Sequence, residues 1–293
     1  TGDMLVDNQD TLEAIFKEAP VNIVTHCEDT PTIIENEKAI VAEYGEEIDA
    51  KFHPRIRDAA SCLKSSQLAY DLATKHGSNL HILHLTSADE MKLFTEGEIT
   101  GKKITAEVCV HHLFFSEADY ETRGNFIKCN PSVKSEHDRL ALIDAVQKNK
   151  IDIIATDHAP HTLEEKQQPY LQAPSGLPLN QHSLLVLLDF YDKGIFTLEQ
   201  IVQKTSHNIA ERFQIKDRGY IREGSFADLA IVDLSANTLV TNENILYHCG
   251  WSPFMDYTFP AAVVHTIING EIVFEDGVLK EQLPIGSRIE FNR

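Results

Sequence analysis

Apolar positions along this chain follow two rhythms in alternation: short β-branched runs, and longer stretches with one apolar face. The first stretch, residues 10–20, carries apolar residues at 12, 15 and 16 and predicts a short amphipathic helix. "VNIVTHCED" (21–29) predicts a strand that ends on His26. Residues 54–77 predict a long helix, with Pro54 near its start and Gly77 just past its end. "LHILHLTS" (80–87) is the next strand, and residues 87–97 open with Ser87 and Glu90 in the spacing of a capping box. A third strand is expected over 103–112, a capped helix over 135–149, and a fourth strand over 151–156. Helices at about 180–193 and 197–213 complete this part.

Beyond residue 215 the rhythm changes. Residues 219–234 and 261–279 alternate with period two and are broken by Gly and Asn-Gly turns, so short antiparallel strands are expected. The stretch between them carries no clear periodicity. We therefore divide the chain into an α/β region, 1–215, and a small β-rich subdomain, 216–293. Alternating strand and helix imply a parallel sheet with right-handed crossovers. Four such units amount to half of an eight-stranded barrel, and half a barrel alone would leave two open edges.

Composition narrows the function. The chain has 293 residues, 42% hydrophobic and 24% charged, with a formal net charge of −19, so it lacks the basic footprint of a nucleic-acid binder. No apolar stretch reaches the roughly 18 residues needed to cross a bilayer. Five scattered cysteines without a Cys-x-x-Cys pair suggest free thiols in a reducing compartment, and the cytoplasm is expected.

The chemistry gathers at strand ends. His26, His84 and Asp157 each close a predicted strand, and imidazole with carboxylate is a donor set that suits zinc. Side chains alternate along a strand, so only one of His81 and His84 is expected to share the site. His84 is the choice, with His81 packed outward against a helix. His111 and His112 are expected at the end of the third strand, as structural groups or as support to the ligands rather than as ligands themselves. There is no His-Glu-x-x-His helix, phosphate-binding glycine loop or nucleophile elbow.

The segments "THCED" (25–29), "HILHLTS" (81–87), "TAEVCVHHLFFSEAD" (105–119), "KCNPSVKSEHDRLALIDAV" (128–146) and "IDIIATDHAPHTLEEK" (151–166) together resemble the dihydroorotases of the amidohydrolase superfamily. "GSFADLAIVDL" and "TIINGEIVFEDG" are similar to that superfamily's C-terminal β subdomain. The resemblance implies an α/β fold, the C-terminal half of a metal-dependent (β/α)8 TIM-like barrel followed by the β-rich subdomain. It implies one or two zinc ions, with His26 and His84 as ligands of one, and Asp157 as ligand of the other and proton carrier. Asn130, His161, Ser175 and Gly176 would contact the substrate, with His161 near its carboxylate. The implied activity interconverts carbamoyl-aspartate and dihydroorotate, in a homodimer that needs neither nucleic acid nor membrane.

The family also requires a His-x-His pair and a bridging Asp or carboxylated Lys, and none of the 14 histidines forms such a pair. The expectation is that this sequence is the C-terminal part of a longer chain. Two rivals remain open. One is a related cyclic-amide hydrolase acting on hydantoin, dihydropyrimidine or allantoin, and the other is a non-catalytic scaffold.

Overall fold

The computed structural model describes residue 6, residues 8–280 and residues 286–292. The chain forms two compact units, residues 1–122 with 129–152 and residues 123–128 with 153–293. The sequence-based boundary at 215 falls inside the second.

In the first unit three strands pair in parallel: β1 (Ile23–Thr25), β2 (Leu80–Ile82) and β3 (Ile104–Cys109). The register aligns Val24 with His81 and Thr105, and Thr25 with Ile82 and Ala106. Leu80, Ile82, Ala106 and Val108 are completely buried, as the strands of a covered parallel sheet should be. The helices start on side-chain caps: Asn8 for Gln9–Glu18, Asp58 for Ala59–His76 and Ser135 for Glu136–Gln147. Gly77 ends the second of these at φ 69°, a left-handed position that suits glycine.

Three local expectations needed correction here. A helix at Thr30–Tyr44, capped by Asp29, was not anticipated; it buries Ile33 and Ile40 while Ile34 stays exposed, so its apolar face is narrow. Residues 87–97 hold only a 3-10 turn, Asp89–Leu93, although Glu90 does reach back to the Ser87 backbone N–H at 3.1 Å. The third strand stops at Cys109, and Val110–Phe114 is a short helix.

The second unit contains β4 (Ile153–Ala155), the helices Leu163–Lys166 and Ser183–Asp192, and a helix from Leu198 that passes through a π turn, Gln203–His207, to Phe213. The remaining strands are β5 (Leu229–Asp233), β6 (Thr238–Leu239), β7 (Thr258–Phe259), β8 (Ala262–Ile268), β9 (Glu271–Glu275) and β10 (Val278–Leu279). They form an antiparallel sheet in the order β10-β9-β8-β5 and a separate β6-β7 pair. Residues 219–228 are turn, so that predicted strand begins only at Leu229. Asn269 (φ 52°) and Gly270 (φ 86°) link β8 to β9, and Asp276 (φ 49°) with Gly277 (φ 85°) links β9 to β10. Two successive positive-φ residues are what tight hairpins of this twist require.

Candidate functional site

His26 follows β1 directly, and alternation from Val24 carries it to the face that also holds His81 and Thr105. His84 lies three residues past His81 and would fall on the opposite face. Its backbone instead turns left-handed, at φ 36°, which is uncommon for a histidine. The turn brings the two rings together, with His26 Nδ1 3.0 Å from His84 Nε2. His81 therefore does not pack outward against a helix. It lies on the His26 face, with Nδ1 2.9 Å from Thr105 Oγ1 and Nε2 3.0 Å from Glu107 Oε2.

The other His26 nitrogen, Nε2, is 3.1 Å from Glu28 Oε2, and the same carboxylate pairs with Arg57. The Glu28 side chain is only 2% exposed. Burial pushes its carboxyl up, but the His26 hydrogen bond and the Arg57 charge outweigh this and hold it at about 2. A carboxylate so placed fixes the orientation of the ring, leaving Nδ1 to face His84. Burial, reinforced by the His26 ring, lowers His84 to about 4, so it is neutral and its lone pair is available near pH 7.

This pair passes a simple test for zinc. Two imidazole nitrogens at ~2.0–2.1 Å from one tetrahedral ion stand about 3.3 Å apart, close to the spacing observed here. A ring anchored to a carboxylate through its other nitrogen, as His26 is to Glu28, is a donor such an ion takes.

Cys109, His111 and His112 form a second donor group, with ligand atoms all within 4.8 Å of one another. The short helix, rather than a strand, lets both histidines be buried side by side, with ring centroids 3.9 Å apart. His112 Nε2 is committed to the Pro131 carbonyl at 3.1 Å. His53 Nε2 lies 2.7 Å from the Cys129 carbonyl. These two histidines thus brace the backbone on either side of Asn130, whose buried Oδ1 has no hydrogen-bond partner among the described residues. That oxygen is able to accept a bond from a ligand N–H.

In the second unit Asp157 follows β4 with φ 49°, a conformation that Asp adopts more readily than most residues. His161 Nε2 is 3.2 Å from the Ser175 carbonyl, Nδ1 is 3.6 Å from Glu165 Oε2, and the His161 carbonyl accepts the Trp251 indole N–H at 2.8 Å. His161 and Ser175 are thus brought together. Gly176 is packed so tightly, at φ 144°, that a Cβ there would overlap the Ala159 carbonyl oxygen. The carbonyls around Ser175 and Gly176 are held by Lys166 and Lys128.

Sequence reasoning missed Glu28, Arg57, His53 and the two lysines. For Glu28 the signal was present, since a residue two positions after His26 shares its face along an extended chain.

The Amidohydrolase family profile matches residues 5–273. The chain belongs to the amidohydrolase family. Within that family it is 32% identical over 268 residues to a dihydroorotase of Staphylococcus aureus, covering 90% of this chain and 61% of that protein. It is 33% identical over 227 residues to a dihydroorotase of Pyrococcus furiosus, covering 78% of this chain and 52% of that one. This amidohydrolase therefore spans about three fifths of the length of the curated Staphylococcus relative. Among solved structures it superposes on an L-hydantoinase (dihydropyrimidinase) from Arthrobacter aurescens with a TM-score of 0.88 at 25% identity, covering 98% of this chain and 65% of that one. A D-hydantoinase structure at 18% identity, with a TM-score of 0.85, shares the fold.

Proposed function

We propose that this chain carries catalytic residues of a zinc-dependent dihydroorotase, interconverting carbamoyl-aspartate and dihydroorotate. The observation that carries the metal assignment is the His26–His84 nitrogen pair at 3.0 Å, with Glu28 behind it. Relatives named dihydroorotase match at about a third identity, whereas the hydantoinase structures match at a quarter or less; this favours dihydroorotate over hydantoin as substrate. On this reading the four βα units are half of a (β/α)8 barrel, 216–293 is the superfamily's β subdomain, and the enzyme is a cytoplasmic homodimer.

On this reading His26 Nδ1 and His84 Nε2 would hold one zinc ion, and the Asp157 carboxylate would serve a second where one is bound. The chemistry such an ion would supply when bound is Lewis acidity toward the amide carbonyl and a lowered pKa for the attacking water. Glu28 keeps His26 in the orientation that offers Nδ1. Asp157 takes the proton from the attacking water and returns it to the departing amide nitrogen, so its carboxylate ends the cycle unchanged. Asn130 Oδ1 accepts a substrate N–H. His161, with Ser175 and Gly176, takes the substrate carboxylate and orients the ring for attack.

Zinc analysis combined with turnover of dihydroorotate tests the reading. The intact protein should bind zinc and open dihydroorotate, and His84→Ala should lose both metal and activity. Zinc retained in full by both His26→Ala and His84→Ala would remove these residues from the metal site.

A further inference from the structure

We propose that Lys166, aided by Lys128, is a positioning residue that shapes the loop around Ser175 and Gly176 to receive a carboxylate. The inference rests on the reading of that loop as a substrate contact. Lys166 ends the short helix Leu163–Lys166, which Thr162 and Glu165 start with a reciprocal capping box. Its side chain is 1% exposed. A buried ammonium must place its three N–H groups on acceptors, or the burial is very costly. Lys166 Nζ donates to the carbonyls of Pro174 at 2.9 Å, Gly176 at 3.0 Å and Lys128 at 3.2 Å.

Lys128 works from the adjoining segment. Its Nζ donates to the Tyr170 and Ala173 carbonyls, both at 2.6 Å, and lies 4.2 Å from the Tyr170 ring centroid. Its own carbonyl accepts the Gly176 N–H at 2.9 Å. With His161 at the Ser175 carbonyl, every carbonyl from Ala173 to Gly176 is bonded to an ammonium or an imidazole.

The consequence falls on Ser175. Its N–H and hydroxyl make no hydrogen bond among the described residues, although the residue is half-buried. A loop whose carbonyls are all taken by ammonium or imidazole groups, and whose remaining free groups are a backbone N–H and a hydroxyl, matches a carboxylate acceptor. Two ammonium groups held in the same place favour negative charge there. The group this loop would receive is thus a carboxylate, which on the proposed function is that of dihydroorotate.

The test replaces Lys166 by Met in the intact protein, keeping length and removing charge. KM for dihydroorotate should rise about tenfold or more, with kcat within about threefold, because a binding contact is lost and the reacting groups are not. Zinc content should not change. Dihydrouracil, which lacks the carboxylate, should lose far less, narrowing the gap between the two substrates. Hydrogen exchange over residues 167–179 should quicken. Equal losses on both substrates, or unchanged exchange in that segment, would overturn the proposal. If the wild-type protein opens neither substrate, the functional reading fails by itself, and the exchange measurement still decides whether Lys166 holds the loop. Should Lys166→Met not fold, Lys128→Met removes the two bonds to the Tyr170 and Ala173 carbonyls of the same loop and is judged by the same ratio.

Discussion

Two residues just past strand ends, His84 and Asp157, have left-handed backbones, at φ 36° and 49°. Such positions cost of order 1–3 kcal/mol for residues other than glycine and persist where the surroundings enforce them. At His84 the gain is visible, since the turn overrides strand alternation and brings Nε2 to His26. This is also why His84 lies beside His26 although strand alternation would separate them, and why His81 was misplaced. Alternation was the right rule for the strand, but no residue type marks a left-handed histidine in advance. At Asp157 the same backbone makes a clean experiment. Asn tolerates left-handed φ as Asp does, so Asp157→Asn should leave folding nearly intact while removing the carboxylate proposed to carry the proton. We expect kcat for dihydroorotate to fall by about 10²–10⁴, the range for loss of general acid–base catalysis, with the thermal midpoint little changed. A loss below tenfold in steady-state turnover would show that Asp157 is not the proton carrier.

Between residues and elements stands Asp152, the last residue of the first unit. Its carboxylate accepts the Ala106 N–H of β3 at 3.0 Å and the Lys102 ammonium at 2.8 Å, and its backbone N–H returns to the Ala106 carbonyl at 2.9 Å. Both side chains of the ion pair are almost fully buried, at 10% and 2% exposure. Removing one partner leaves the other charge buried, so Asp152→Ala should lower the unfolding free energy by about 3–5 kcal/mol in urea titration. The double change Lys102→Met with Asp152→Leu should recover much of that loss. A single-variant loss under about 1 kcal/mol would mean that the pair does not hold β3 to this segment. The elements that were legible in the sequence carry such strong local signals. Asn269 with Gly270 fixes a hairpin, and Gly77 ends a helix. The helix at Thr30–Tyr44 was not legible, because its buried face is reduced to Ile33 and Ile40 amid charged neighbours. The stretch 103–112 read as a single strand because β-branched and aromatic-like residues continue past Cys109, and only tertiary packing turns the chain into a helix there.

Over the whole molecule, the buried histidines set how stability depends on pH. Burial lowers His182 to about 4; burial, with the His84 charge, lowers His111 to about 3; His112 is also held well below its ordinary value, again chiefly by burial. Each ring is neutral in the fold and takes up a proton near pH 6.5 once the chain unfolds. Below pH 6.5 the unfolded state therefore binds more protons, and the native state loses stability as pH falls toward 4. Above 6.5 these groups contribute no slope. Each ring contributes up to about 1.4 kcal/mol per pH unit in that window. The formal charge of −19 works the other way, since protonating carboxylates relieves repulsion, and so does the buried Glu90, whose carboxyl burial pushes up; ordinary carboxylates titrate near pH 4, and the several lowered histidines outnumber Glu90. Urea unfolding of the metal-free protein should thus show stability level between pH 8 and 7 and falling steeply from 6.5 to 5. His182 is 1% exposed and stands apart from the proposed metal ligands in sequence, packed on Phe259 with its Nδ1 3.1 Å from Ser252 Oγ. His182→Asn should lower stability at pH 7 and make the acid-side slope shallower by about one proton's worth. If the slope is the same in both proteins, His182 already carries its proton in the folded state, and the acid sensitivity has to come from other groups.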